Sequence, residues 1–247
     1  MKHVVTFLSD FGLADAYVAQ VKARILSAAE DTLVVDITHE IPSYEIISAA
    51  WLLYTSYAFF KEGTVHLAIV DPGVGTERNS IAVKKQGHIF IGPDNGIFSF
   101  LYPADEVIEV TWRPDGPISH TFHGRDIFAP VVVKALDDPT CKGLGPALDD
   151  PVTIDVKRPM VVHIDKFGNV VTSIECPCMK PGMVLQVEKI RIDRIAGTFT
   201  DIPEGELALV CGSADTIEIA ANRKSAAQIT GAYVGMPVRV DYPDLTA

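Results

Sequence analysis

Short apolar runs alternate with helix-like stretches through the first half of the chain, and this order limits the fold more than any other feature. Val4–Leu8 reads as a strand. Asp15–Ala29 carries Val18, Val21, Ile25 and Leu26 at the spacing of an amphipathic helix. Thr32–Ile37 is strand-like again, Tyr44–Phe60 is helical in pattern after Pro42, and Val65–Val70 is a third strand. Parallel strands need a crossover, and crossover helices cover the sheet faces, so the β-α-β-α-β order predicts an α/β domain with a mainly parallel sheet. Ser80–Lys84 and His88–Ile91 follow as a hairpin around Gln86-Gly87, Val107–Thr111 as another strand, and Phe128–Leu136 as part of a helix.

From about Leu148 the texture changes. Asp149-Asp150-Pro151 and Lys157-Arg158-Pro159 bracket a linker. Short β-type runs come after it: Met160–Ile164, Val170–Ile174, Val184–Val187, Ile190–Ile195, Leu207–Cys211, Thr216–Ala220 and Val238–Val240. Turn residues separate them at regular intervals, which predicts an all-β, barrel-like domain. The expected organisation is an α/β N-terminal domain over residues 1–150 and a β-barrel-like C-terminal domain over 158–247.

The formal net charge of −11 argues against nucleic acid, because phosphate binding needs a basic face and none is visible. No run reaches the roughly 18–20 apolar residues of a membrane helix. Met1-Lys2-His3 leads directly into the first strand, so no signal peptide is expected. Four cysteines, Cys141, Cys176, Cys178 and Cys211, are too few and too scattered for a disulfide framework, and reduced thiols in a cytoplasmic protein are the expectation.

Three acids stand at or near the ends of the parallel strands, where ligands of such sheets gather. These are Asp10, Asp36 and Asp71. Asp71 opens Val70-Asp-Pro-Gly-Val-Gly-Thr-Glu-Arg78, in which two glycines separate an acid from an arginine. Asp10 suits the paired hydroxyls of a ribose, while Asp15 reads as a helix cap. No glycine-rich phosphate cradle is present, so a nucleoside without phosphates fits better than a dinucleotide or a triphosphate. Thr121-Phe-His-Gly-Arg-Asp126 is a second cluster, just before a helix. His120 and His123 have a ligand-like spacing, but a third ligand is not nearby and no metal is expected. Asp165-Lys-Phe-Gly-Asn169 and Cys211-Gly-Ser-Ala-Asp215 each read as turns.

Taken in order, Leu8–Asp15, Val35-Asp-Ile-Thr-His39, Val70–Arg78, Gly92-Pro-Asp-Asn-Gly96, Phe122–Asp126 and Asp165–Asn169 resemble the adenosine-forming S-adenosylmethionine hydrolases, relatives of fluorinase and chlorinase. The resemblance runs from about Val4 to Met236. It implies a homotrimer in which the ligand lies between the N-terminal domain of one subunit and the C-terminal domain of the next. The implied reaction is attack of water on the 5′ carbon of the ribose, releasing adenosine and L-methionine, with no cofactor. Asp71, Arg78 and His123 fall on the catalytic positions. Arg78 would hold a water and favour its hydroxide-like form, His123 would take or relay the proton, and Asp71 would orient both. By the same resemblance Asp10 meets the ribose hydroxyls, Tyr44 walls the sugar, and Phe167 and Phe199 flank the adenine. Asn169 reads the base edge, Asp165 meets the methionine ammonium, and Ser213 its carboxylate.

Some positions depart from the fluorinase pattern. Ala214 stands where fluorinase has an arginine, Asp71 where it has tyrosine, and Gly124 where it has a halide-binding serine. A carboxylate at position 71 repels a halide. Hydrolysis is therefore favoured over halogenation, and a non-catalytic sensor of the same ligand is the remaining alternative.

Overall fold

The computed structural model describes residues 3–242 and divides into two compact units, one up to Ile154 and one from Asp155. In the first unit the elements run β1 (His3–Ser9), α1 (Tyr17–Leu26), β2 (Thr32–Thr38), α2 (Ile46–Tyr57), β3 (Val65–Ile69), β4 (Ser80–Lys85), β5 (His88–Pro93), β6 (Glu106–Glu109) and α3 (Ala129–Asp137). They build one six-stranded sheet of order β2-β1-β3-β5-β4-β6. β1 pairs parallel with β2 and β3, and β3 with β5; β4 is antiparallel to both β5 and β6. The sheet is thus mixed, with its parallel part where the β-α-β units lie and its antiparallel part in the hairpin.

Strand alternation divides the core. Phe7, Leu67 and Ile69 pack with Val18, Val21 and Ile25 of α1 and Val131, Val132 and Ala135 of α3 on one face. Leu8, Ala68 and Val70 pack with Ala49 and Leu53 of α2 on the other. Every central strand is buried on both sides, so it reads as a continuous apolar run rather than an alternating one. α1 and α2 are shorter than their apolar patterns, because residues 15–16 and 44–45 enter them as loop and residues 27–29 and 58–60 leave them as turns. α3 begins as a π-helical turn, Gly124–Phe128, with His123 at its N-terminal boundary.

The second unit holds β7 (Val161–Ile164), β8 (Val170–Glu175), β9 (Val184–Val187), β10 (Ile190–Ile192), β11 (Leu207–Cys211), β12 (Thr216–Ala221), α4 (Ala226–Thr230) and β13 (Arg239–Asp241). They form two antiparallel sheets, β10-β9-β13 and β11-β12-β8-β7. Val161, Val170 and Leu209 of one sheet and Leu185, Val187 and Ile192 of the other share a single core. Isolated bridges link Met160 with Pro237 and Ile195 with Leu209.

The expectation of reduced thiols fails for two of the four cysteines. Cys176 and Cys211 are disulfide-bonded, while Cys141 is free and buried and Cys178 free and exposed. β12 lies between β8 and β11, with Thr216 opposite Glu175 and Ile217 opposite Cys211. The pairing brings together two thiols 35 residues apart in sequence. No local spacing announces such a contact. Among the described residues no helix is long and apolar enough to cross a membrane.

Candidate active site

Neighbouring parallel strands whose connections leave in opposite directions open a crevice beyond their carboxyl ends. β1 and β3 are such a pair: the chain leaves β1 towards β2, and β3 towards β4 and β5. Their register ends with Ser9 opposite Ile69. Asp10 and Asp71 therefore emerge close together at that mouth. Burial pushes the Asp10 carboxyl up from its ordinary range, and the nearby charge of Asp71 adds to the effect. The backbone N–H of Tyr44 opposes it, donating to Asp10 Oδ2 at 3.1 Å. Tyr44 adopts a positive φ of 69° and its ring is exposed.

Asp71 and Arg78 meet as a fork. Arg78 Nε donates to Asp71 Oδ1 at 2.9 Å and Nη2 donates to Oδ2, with both side chains almost wholly buried. Such bidentate, desolvated pairs are among the strongest polar contacts in proteins. Nη2 also donates to Nδ1 of His123 at 3.2 Å, and Nη1 donates to the Asn79 carbonyl at 3.2 Å and to Ser80 Oγ at 3.1 Å. A guanidinium has five N–H donors and no acceptor, so these partners occupy all of them. The Phe128 ring covers one face of the cation, 5.1 Å from Cζ.

The same bookkeeping of donors fixes the state of His123. Because Arg78 can only donate, Nδ1 must accept, and the ring is neutral with its proton on Nε2. Burial lowers its pKa first, and the charge of Arg78 lowers it further.

The loop between Asp71 and Arg78 closes because of its glycines. Gly75 sits at φ 79°, and a Cβ there would lie 2.3 Å from the carbonyl oxygen of His120. That contact brings the 70–78 loop against the segment carrying His123. Gly73 supplies space, since a Cβ would crowd Arg78 Cγ at 3.2 Å. Both loop ends are pinned by Gly92–Gly96: Asn95 Nδ2 donates to the Val70 carbonyl at 2.8 Å, and the Asp94 N–H donates to Asn79 O at 2.9 Å.

Sequence reasoning assigned no role to Ser80, Phe128, Asp94 or Asn95. The last two stand in a motif it singled out, which was the available signal. The other correction concerns Arg78, expected to hold a water directly. Its five donors are already engaged, so the lone pairs left open in this cluster are those of Asp71.

In the second unit Phe167, Asn169 and Phe199 line one cavity of about 490 Å³, together with Asn222, Arg223 and Ser225. Phe167 and Phe199 are 70% and 47% exposed, so two large rings are open to a flat ligand. Asp165 shapes this wall. Its Oδ1 accepts from the Phe167 and Asn169 N–H groups at 2.9 and 2.8 Å, and its Oδ2 accepts from Asn169 Nδ2 at 2.9 Å. Gly168, at φ 86°, lets the turn touch Ser225, where a Cβ would collide at 2.1 Å. Ser213 lies outside this cavity, on the exposed turn between β11 and β12. Glu218 packs over that turn against Gly212, its carboxyl raised by burial and by the charge of Asp165. Among the described residues no group of three or more His, Cys, Asp or Glu side chains is gathered as a metal ion would need.

An acid–guanidinium–imidazole chain at the switch point of an α/β unit, followed by an antiparallel β unit with an aromatic cavity, defines a class of small-ligand proteins. Residues 5–145 match the SAM hydroxide adenosyltransferase N-terminal domain, and residues 160–239 match the corresponding C-terminal domain. The chain belongs to this family. It is 36% identical to the (R)-S-adenosyl-L-methionine hydrolase of Thermus thermophilus, over 96% of this chain and 98% of that one. A fluorinase of Actinopolyspora mzabensis is more distant, 26% identical over 96% of each chain. The crystal structure of an uncharacterized conserved protein from Thermotoga maritima superposes with a TM-score of 0.86, at 31% identity, covering 96% of this chain and 99% of that one.

Proposed function

We propose that the protein hydrolyses S-adenosyl-L-methionine to adenosine and L-methionine, by displacement at the ribose 5′ carbon. The observation that carries this reading is the Asp71–Arg78 fork with neutral His123 on the same guanidinium, in a family whose hydrolase relatives share a third of its sequence.

The sulfonium leaves as a neutral thioether, so the leaving group needs no acid. The demand is on the nucleophile. A water oxygen forms the bond to C5′, the C5′–S pair returns to sulfur, and one proton is released. Asp71 is the acceptor still open to a water hydrogen. The charge of Arg78 beside it stabilises hydroxide character, and His123, held neutral with its proton on Nε2, is available as a donor that orients the attacking oxygen. Positioning the water in line with the departing sulfur contributes about 7–11 kcal/mol in favourable cases.

Asp10 holds the ribose hydroxyls and Tyr44 walls the sugar. Phe167 and Phe199 stack on the adenine, Asn169 reads its edge, and Asp165 and Ser213 meet the amino-acid end. These groups come from two units of different make-up, which fits a homotrimer with each ligand held by the first unit of one copy and the second unit of the next. The second unit is barrel-like in this reading, because the Met160–Pro237 and Ile195–Leu209 bridges join the free edges of the two sheets into a ring. The cytoplasm is the compartment proposed for an enzyme acting on an intracellular methyl donor, although the Cys176–Cys211 bond does not support it, since disulfides persist mainly in oxidising compartments.

The direct test incubates the protein with S-adenosyl-L-methionine in ¹⁸O-labelled water and identifies the products by chromatography and mass. Adenosine labelled at its 5′ hydroxyl, with unlabelled methionine, is the expected result. Label in homoserine, or no turnover, overturns the reading. Chlorinated nucleoside formed in excess chloride would assign a halogenase instead.

A further inference from the structure

Val35-Asp-Ile-Thr-His39 has no part in the chemistry above, yet its His39 side chain is buried against the loop that carries Asp10, while Asp36 stays partly open to solvent. Ser9 is 0% and His39 3% exposed. Ser9 Oγ lies 2.7 Å from His39 Nδ1. On the far side of the ring, His39 Nε2 lies 3.1 Å from Asp36 Oδ1, within ion-pair range but not in line for a full hydrogen bond. Lys22 Nζ donates to the other Asp36 oxygen at 2.5 Å.

The proton positions follow from what each group can do. A carboxylate only accepts, so the ring proton belongs on Nε2, facing Asp36. Burial lowers the His39 pKa, which keeps the ring neutral despite the acid. Nδ1 then accepts, and the Ser9 hydroxyl must donate to it. That leaves the Ser9 oxygen lone pairs pointing to the chain that follows, where the Phe11 N–H approaches at 3.4 Å. The Gly12 N–H donates to the His39 carbonyl at 2.8 Å.

Acid, imidazole and serine in this order would suit acyl transfer, but the fully buried hydroxyl has no access for a substrate. The arrangement instead clamps both flanks of Asp10. Ser9 precedes it, Phe11 and Gly12 follow it, and both sides end on the His39 residue. We propose that His39, oriented by Asp36 and bonded to Ser9, is a positioning residue that fixes the Asp10 loop and through it the affinity for the ribose end of the ligand. The inference rests on the reading of Asp10 as the ribose group.

The test measures adenosine binding by calorimetry and the KM and kcat for S-adenosyl-L-methionine in Asp10→Ala, His39→Ala, His39→Asn and the double variant Asp10→Ala/His39→Ala. His39→Ala is expected to weaken adenosine binding and raise KM by about tenfold, the scale of one lost buried hydrogen bond, with kcat changed less than threefold. His39→Asn, whose side-chain oxygen can take the Ser9 hydroxyl, is expected to restore most of the affinity. The double variant should bind no more weakly than Asp10→Ala alone, since both changes act on one contact. Multiplying losses in the double variant, or a fall in kcat at constant KM, overturns the inference while leaving the ribose assignment intact. An unchanged affinity in Asp10→Ala overturns the ribose assignment itself, and the inference with it. Should His39→Ala fail to fold, Ser9→Ala carries the same measurements.

Discussion

Two polar chains end at the carboxyl edge of the same sheet, and they order similar groups differently. In Asp71–Arg78–His123 the cation stands in the middle and reaches both the acid and the imidazole. In Asp36–His39–Ser9 the imidazole stands in the middle and the cation, Lys22, sits outside on the acid. A central guanidinium is always charged and holds the imidazole neutral by Coulomb repulsion as well as burial. A central imidazole links two groups as donor on one side and acceptor on the other, which suits it to fixing a loop. The first arrangement leaves open lone pairs on a carboxylate at a crevice, and the second buries its imidazole and hydroxyl and turns only its acid end, Asp36 with Lys22, towards solvent.

The largest effect should come from replacing the fork. Arg78→Lys keeps the charge but offers a compact ammonium in place of five directed donors, and should lower kcat by about 10²–10³-fold with adenosine affinity nearly unchanged. If lysine sustains turnover, the geometry of the guanidinium matters less than its charge, and the contrast between the two chains collapses.

Acid should separate the histidines next. His66 lies wholly inside the first unit, bonded to Thr6 and His88, and burial lowers its pKa to about 3. Unfolded, it would take up a proton near 6.5. Its neutral form therefore supports full stability above that pH, and stability falls as pH drops towards 3. Urea titrations at several pH values should show this slope, and His66→Gln, which cannot titrate there, should flatten it.

His123 should be read in activity rather than stability. With its pKa below the ordinary histidine value, kcat/KM should hold down through pH 6.5 and fall only in more acid solution, when Nδ1 gains a proton and can no longer accept from Arg78. An acid limb centred above 6.5 would contradict the repulsion ascribed to the central cation.

The smallest change is expected in the second unit. Phe199→Ala should weaken adenosine binding by roughly threefold to tenfold, the scale of one aromatic stacking contact, with kcat little altered. A loss confined to kcat would remove Phe199 from the base site.

Much of the fold was legible in advance. β9 and β11 occupy the predicted residues, β2, β3 and β8 differ from theirs by one residue at one end, and β1 by one at each end. Buried central strands are continuous apolar runs, and these stand out in any sequence. α4 was not legible, because five residues carry too little periodicity to distinguish them from a turn. The Cys176–Cys211 bond was hidden for a different reason: it depends on which strands become neighbours.

The site divides in the same way. Asp10 and Asp71 could be placed at strand ends from local pattern, because a strand's end is a local property. The pairing of Arg78 with His123 spans 45 residues, and that of Ser9 with His39 spans 30. By itself the sequence determined which residues form strands and helices and which acids lie where the strands stop, since short-range apolar spacing carries that information. Only the tertiary structure decided which donor meets which acceptor, and therefore which tautomer each histidine adopts and that Arg78 has no N–H to spare. Those outcomes depend on strand order and loop closure, which bring together groups that are distant along the chain.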